Sequence, residues 1–387
     1  MTTAEVVSRT EDERREIVAL AREFAQREIA PHAAEWDQQK TYPRETVAKL
    51  GELGFLGLRV PERYDGLGLD ALTYMMVVEE IAAADGSVAI TLGVHNSLAC
   101  TMLLEHGTEE QKERWLRPMA RGELLGAFAM TEADSGSDAA GLRAEARRDG
   151  DGWVLRGTKG WVTNGDTANV FIVMARTDTP ERRLGSRGIS AFIVPAGTPG
   201  LEPGKAEDKM GLRASRTTAV MLHDVRVPGD HLLGEENRGL HQALGALDRG
   251  RMGVAAQAVG IARAALEASV AYAAERRQFE RPLKDFQAVQ FKLADMATRV
   301  AAARALLHEA ARAQERGELR SVDASMAKVF ASETAMWVTT QAVQIFGGYG
   351  YMRDYPVERL FRDAKVTEIY EGTSEIQRIV IARALHA

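Results

Sequence analysis

Near the end of this 387-residue chain, Tyr370-Glu371-Gly372-Thr373-Ser374-Glu375-Ile376-Gln377-Arg378 joins an acid, a glycine and a helix-start signal. Ser374 with Gln377 three residues later is a capping-box pattern, so a helix is predicted to begin there. Glu371 and Gly372 then lie on a loop at the positive end of that helix. Glu371 either complements the helix dipole or acts as a positioned base, with Gly372 allowing close backbone approach to a ligand. Spacing alone leaves both readings open.

Three other segments have chemical potential. Ala129-Met130-Thr131-Glu132-Ala133-Asp134-Ser135-Gly136-Ser137-Asp138 offers small residues, backbone N–H groups and hydroxyls, enough to hold a flavin or phosphate edge. The same composition also makes a plain turn. In Lys159-Gly160-Trp161-Val162-Thr163-Asn164-Gly165, Asn-Gly signals a tight turn, and Trp161 either stacks on a planar cofactor or fills the core. Arg276-Arg277-Gln278-Phe279 closes a predicted helix, where arginines suit the dipole and also suit phosphate.

Bulk properties narrow the field. The net charge is -6, which argues against a nucleic-acid surface. The single cysteine, Cys100, excludes a disulfide framework and a thiolate metal site. The eight histidines show no metal-ligand spacing, so no metal is expected. Met1 to Arg15 lacks an apolar signal core, and no uninterrupted apolar run reaches about 18 residues. A cytoplasmic protein without membrane insertion is the expectation.

The elements that must position these residues fall into three zones. Residues 1–125 read as helical, with helices over Arg14–Ile29, Val47–Phe55 and Ala71–Ala84. Residues 126–237 carry short β-branched runs between turns, with strands at Trp153–Leu155, Val170–Met174, Ile189–Val194 and Val220–Val227, suggesting a small barrel or sandwich. Residues 238–387 return to helix, over about Met252–Arg277 and Ser321–Phe346. Between them Phe286, Val289, Leu293, Met296, Val300, Ala303 and Leu307 form a seam suited to a four-helix bundle. The expected fold is mainly α with a β middle domain.

In this order and spacing the segments resemble the acyl-CoA dehydrogenase family over nearly the whole chain. The resemblance includes Gly57 to Leu69, the Thr131-Glu132 loop, Trp161 to Gly165, Lys209-Met210-Gly211-Leu212-Arg213, Gln344 to Gly348 and the Tyr370 to Ser374 segment. It implies a helical domain, a β domain and a four-helix bundle, non-covalent FAD, a homotetramer, and electron transfer to an electron-transfer flavoprotein. Carried over by position, Phe128, Met130, Thr131, Trp161 and Thr163 meet the flavin ring, and Thr373 and Glu375 touch the flavin of their own subunit. Arg276, Gln278, Phe279, Gln287, Gln344, Ile345, Gly347 and Gly348 reach the FAD of a neighbouring subunit. Ser137 lies where the pantetheine and phosphate part of CoA passes. Ser215, Asp248, Arg251, Tyr370, Gly372 and Arg383 are implied acyl-CoA contacts. Two positions depart from the family pattern: Ala133 replaces a usual proline, and Glu280 a usual glycine.

The resemblance also assigns the chemistry. Glu371 is the implied base, removing the α-proton of an acyl-CoA thioester while the β-hydride passes to flavin. Some relatives place the base immediately before the arginine at 251; here that residue is Gly250, which cannot act. An oxygen-using oxidase or monooxygenase on the same scaffold, or a non-catalytic flavoprotein, are the alternatives. Gly250 and the overall pattern resemble short-chain and branched short-chain members more than long-chain ones.

Overall fold

The computed structural model describes residues 10–179 and 184–386. Helices begin where the sequence supplies caps. Thr10 and Glu13 form a reciprocal capping box for Glu11–Phe24. The Asp70 carboxylate accepts from Thr73 N–H at the head of Ala71–Ala84, and the Asp85 carboxylate accepts from Ser87 and Val88 N–H groups at the next helix.

Among the described residues eight strands form one sheet. Its order runs Leu201–Ala206, Thr217–Val227, Gly152–Thr163, Glu145–Asp149, Val170–Arg176, Ile189–Pro195 and Leu232–Leu233, with Gly126–Ala129 parallel to Val170–Arg176. Side chains of a strand alternate between faces. Phe171, Val173 and Ala175 therefore join a core with Trp153, Phe192 and Val220 inside the curled sheet. Val170, Ile172 and Met174 face the other way, onto Leu98, Met119 and Leu247 of the helical layers. This strand is buried on both faces, which is why it reads as an unbroken apolar run.

The C-terminal bundle has three long helices, Gly239–Glu275, Gln287–Glu315 and Ser321–Phe346, followed by the shorter Val357–Lys365 and Ser374–Leu385. Alanines such as Ala255, Ala262, Ala324 and Ala331 fill its interior and let the helices approach closely. At Gly260 an added Cβ would lie 2.5 Å from Glu79 O. Helix Gly239–Glu275 thus presses directly on Ala71–Ala84, and residues of both share one core. A buried ion network crosses the same contact: Arg263 bonds Glu80 at 2.7 Å, and Arg304 bonds Glu79. Such a network adds little net stability, but losing one partner leaves a buried charge uncompensated.

Two helices, Gly86–His106 and Gly239–Glu275, are long and apolar enough by composition to cross a membrane. Their apolar windows are 94% and 61% buried inside the protein, so they serve as core helices here.

Several elements differ from the sequence reading. The strand at Trp153 runs on to Thr163, the bundle's first helix starts at Gly239 rather than near Met252, and helix Arg44–Glu52 gives way to a 3-10 turn at Phe55. Strands Gly126–Ala129, Glu145–Asp149 and Leu201–Ala206 were not anticipated.

Candidate active site

Glu371 and Gly372 are consecutive left-handed residues, with φ of +53° and +92°. For glycine this is free; for glutamate it costs on the order of 1 kcal/mol and must be held by its surroundings. Two buried side chains hold it. Gln377 Nε2 donates to the Gly372 carbonyl at 2.8 Å and to the Glu371 carbonyl at 3.3 Å, and Lys328 Nζ donates to the Gly372 carbonyl at 2.7 Å. The helix that follows is capped by Thr373, whose Oγ1 accepts from Ile376 N–H, and not by Ser374 as its spacing suggests. Gln377 is accordingly spent on the turn's carbonyls rather than on a capping box.

The Glu371 side chain enters a cavity of about 610 Å³. Its Oε2 is buried without a hydrogen-bond partner. Burial pushes its carboxyl up to about 7, opposed by the charges of Lys328 and Arg251. A carboxylate so placed is poised to take a proton near neutral pH. Helix Gly239–Glu275 passes beside it at Gly250, where an added Cβ would fall 1.9 Å from Oε2. The glycine leaves the space that the carboxylate occupies. Arg251, next along, is buried and held by Asp248 at 2.6 Å.

The opposite wall comes from the β layer. Phe128 lies on strand Gly126–Ala129, and Met130, Thr131, Gly136 and Ser137 follow on the loop; Gly160, Trp161 and Thr163 come from the long strand. The loop is pinned from beneath. Lys159 is fully buried and donates to the Glu132 carboxylate at 2.7 Å and to the Met130 carbonyl at 3.1 Å. Glu132 also accepts from the Arg143 and Ala144 N–H groups. Above this support, Trp161 takes a positive φ of +52° and leaves 58% of its surface exposed on the cavity wall. An exposed indole beside small residues and hydroxyls is a platform for a flat aromatic ligand. The inner wall is apolar, with Ile90, Val94, Leu98, Leu244 and Leu247; elsewhere on the lining Lys209 donates to the Ser215 carbonyl, while Arg362 is paired with Asp37 and Glu358 and Lys365 with Glu368.

The cavity thus gathers Phe128, Met130, Thr131, Ser137, Trp161, Thr163, Ser215, Arg251, Tyr370, Glu371, Gly372 and Thr373. Asp248 reaches it only through Arg251, and Glu375 and Arg383 are exposed and outside its lining. Arg276, Gln278, Phe279, Gln287, Gln344, Gly347 and Gly348 lie on the bundle surface, with Ile345 buried behind them. Arg276 stacks over Tyr349, and Tyr272 stacks on Phe346 at a centroid distance of 4.0 Å. Sequence reasoning missed Lys328, and Tyr74, whose buried hydroxyl feels the Glu371 charge. The signal for Lys328 was its place in the apolar stripe Ala324, Ala327, Ala331, Ala335. Among the described residues no acid, histidine and cysteine cluster suits a metal.

Three family profiles cover most of the chain: acyl-CoA dehydrogenase N-terminal domain at residues 11–123, middle domain at 127–225 and C-terminal domain at 237–386. The short-chain specific acyl-CoA dehydrogenase of Bos taurus mitochondria is 48% identical over 93% of this chain and 87% of its own. The chain belongs to the acyl-CoA dehydrogenase family. Butyryl-CoA dehydrogenase from Megasphaera elsdenii superposes on this acyl-CoA dehydrogenase with a TM-score of 0.95 and 45% identity, covering 98% of this chain and 99% of that one. A chain from a structural study of the electron transferring flavoprotein of Acidaminococcus fermentans matches equally, with a TM-score of 0.95, 48% identity and the same coverage. Family membership brings flavin chemistry.

Proposed function

We propose that this acyl-CoA dehydrogenase oxidises a short apolar acyl-CoA thioester to its trans-2-enoyl-CoA, with Glu371 as base, FAD as cofactor and an electron-transfer flavoprotein as acceptor. The observation that carries the reading is a buried, unpartnered carboxylate facing an apolar wall on one side and an exposed tryptophan platform on the other. The α-proton of a thioester is weakly acidic, so its removal needs a base in contact and a stabiliser for the developing oxyanion. Glu371 supplies the first. Its own backbone N–H, on a turn fixed by Gln377 and Lys328, is a candidate for the second. Phe128, Met130, Thr131, Trp161, Thr163 and Thr373 would hold the flavin. FAD bound there supplies the hydride acceptor for the β-carbon. Ile90, Val94 and Leu98 hold the acyl chain and exclude water, and Ser137, Ser215 and Lys209 lie where the CoA portion would pass.

The same reading makes the protein a cytoplasmic homotetramer. Phe279 at 88%, Tyr351 at 85% and Phe291 at 60% exposure are apolar surface that assembly would cover, and Arg276, Gln278, Gln287 and Gln344 to Gly348 share the bundle surface on which a neighbour's FAD would rest. The deciding experiment is anaerobic titration of the purified protein with butyryl-, isobutyryl-, isovaleryl-, glutaryl- and octanoyl-CoA. Bleaching of a yellow protein by butyryl-CoA is expected. A yellow protein bleached by none of the five refutes the substrate class. Rapid reoxidation by air with peroxide release replaces the flavoprotein acceptor by oxygen.

A further inference from the structure

We propose that Lys328 is a positioning residue for Glu371: its buried ammonium clamps the Gly372 carbonyl and brings a positive charge beneath the turn that carries the base. This rests on Glu371 being the base. Lys328 lies on helix Ser321–Phe346, is fully buried, and donates to the Gly372 carbonyl at 2.7 Å. An ammonium has three donors, yet Gly372 O is its one hydrogen-bond acceptor among the described residues. Its helical neighbours Ala324, Ala327 and Ala331 are apolar and buried. A methionine would fill such a place without the cost of a buried charge. Packing therefore does not account for a lysine here, whereas the turn above it does.

The charged groups around Glu371 come from several elements. Lys328 approaches from one bundle helix, and Arg251, itself paired with Asp248, from another. Glu368 and Glu375 flank the turn on its own strand of chain, and Tyr370 and Tyr74 add buried hydroxyls. Arg251 is shared with a carboxylate, so Lys328 is the nearby cation not neutralised by a partner of its own. Removing its charge makes ionised Glu371 harder to form. The clamp on Gly372 and the electrostatic effect on Glu371 are two consequences of one side chain, and charge-conserving and charge-removing variants separate them.

The test compares wild type, Lys328→Gln and Lys328→Arg by stopped-flow flavin reduction with butyryl-CoA from pH 5.5 to 9.5. Lys328→Gln is expected to bind flavin but to reach half its maximal rate at higher pH, losing about tenfold at pH 6.5 and recovering most of it by pH 9. Lys328→Arg is expected to move the profile back toward wild type. An unshifted Lys328→Gln profile overturns the proposal, as does an equal, pH-independent loss in both variants or loss of bound flavin in both. Wild type left unbleached would instead count against the proposed substrate. A double-mutant cycle with Glu371→Gln, read by thermal melting, needs no substrate. Burial brings the Lys328 ammonium down to about 8 and the Glu371 carboxyl up to about 7, so coupling between the two residues at pH 7.5 that fades at pH 5 supports the proposal, and no coupling at either pH overturns it.

Discussion

Gly250→Ala puts the geometry of the base under direct strain. The new Cβ would fall 1.9 Å from Glu371 Oε2 and 2.8 Å from its Cδ, where ordinary contact begins near 3.4 Å. The carboxylate must therefore swing away by about 1.5 Å. Backbone movement is resisted, because Gln377 and Lys328 hold the turn's carbonyls. Misplacing a catalytic group by about 1 Å costs on the order of 100-fold, equivalent to about 2.7 kcal/mol of barrier. Folding should not suffer, since alanine is favoured over glycine within a helix by up to about 1 kcal/mol and the clashing atoms end a flexible side chain. The expected variant is yellow, melts at or above the wild-type temperature, and is reduced by butyryl-CoA about 100-fold more slowly under anaerobic stopped flow. Wild-type reduction by Gly250→Ala would refute the placement of the carboxylate against this helix.

Glu371→Gln should retain flavin and lose reduction by any thioester, with full activity excluding Glu371 as the base. Because burial raises its carboxyl from 4.5 to about 7, ionised Glu371 costs the fold stability that is lost as pH rises from 4.5 through 7. Glu371→Gln should then out-melt wild type at pH 8.5 by the equivalent of a few kcal/mol, converging as pH falls toward 4.5; a constant difference would contradict this. Lys159→Met strands the Glu132 carboxylate beneath the loop, and urea unfolding should show a loss of about 3–5 kcal/mol together with weakened flavin retention; an unchanged midpoint would mean the loop is held otherwise. Glutaryl-CoA should reduce the flavin at least about 100-fold less efficiently than butyryl-CoA, because its terminal carboxylate would meet Ile90, Val94 and Leu98 while Arg251 is already paired with Asp248. Equal efficiency would show a second, unpaired cation in reach.

What was legible in the sequence follows from how local each signal is. The Glu371-Gly372 loop and the helix beyond it announce themselves in nine residues, and the three structural zones are visible in texture alone; the left-handed backbone at both loop residues is not. The long strand was cut short because Gly157 and Gly160 interrupt its β-branched pattern; both fall at register irregularities in its pairing with Thr217–Val227. Helix Gly239–Glu275 began earlier than read because it has no side-chain N-cap and carries Gly245, Gly250 and Gly253 in its first half. Adjacent hydroxyls at Thr373 and Ser374 gave two equivalent caps, and only the path of the chain chooses the first. Lys328 escaped notice because a lysine on an alanine-rich helix reads as solvated until the turn that needs it is brought alongside from 44 residues away.

The contact between helices Ala71–Ala84 and Gly239–Glu275 also shapes how the chain is made. Arg263 meets Glu80 across 183 positions of sequence. At about 5–20 residues per second of synthesis, the early helices wait roughly 10–40 s for the segment that covers them. During that interval their apolar faces have no final partner, and nascent protein depends on being shielded rather than on folding as it emerges. Expression yield should therefore respond more to chaperone supply and growth temperature than the melting point of the finished enzyme would suggest.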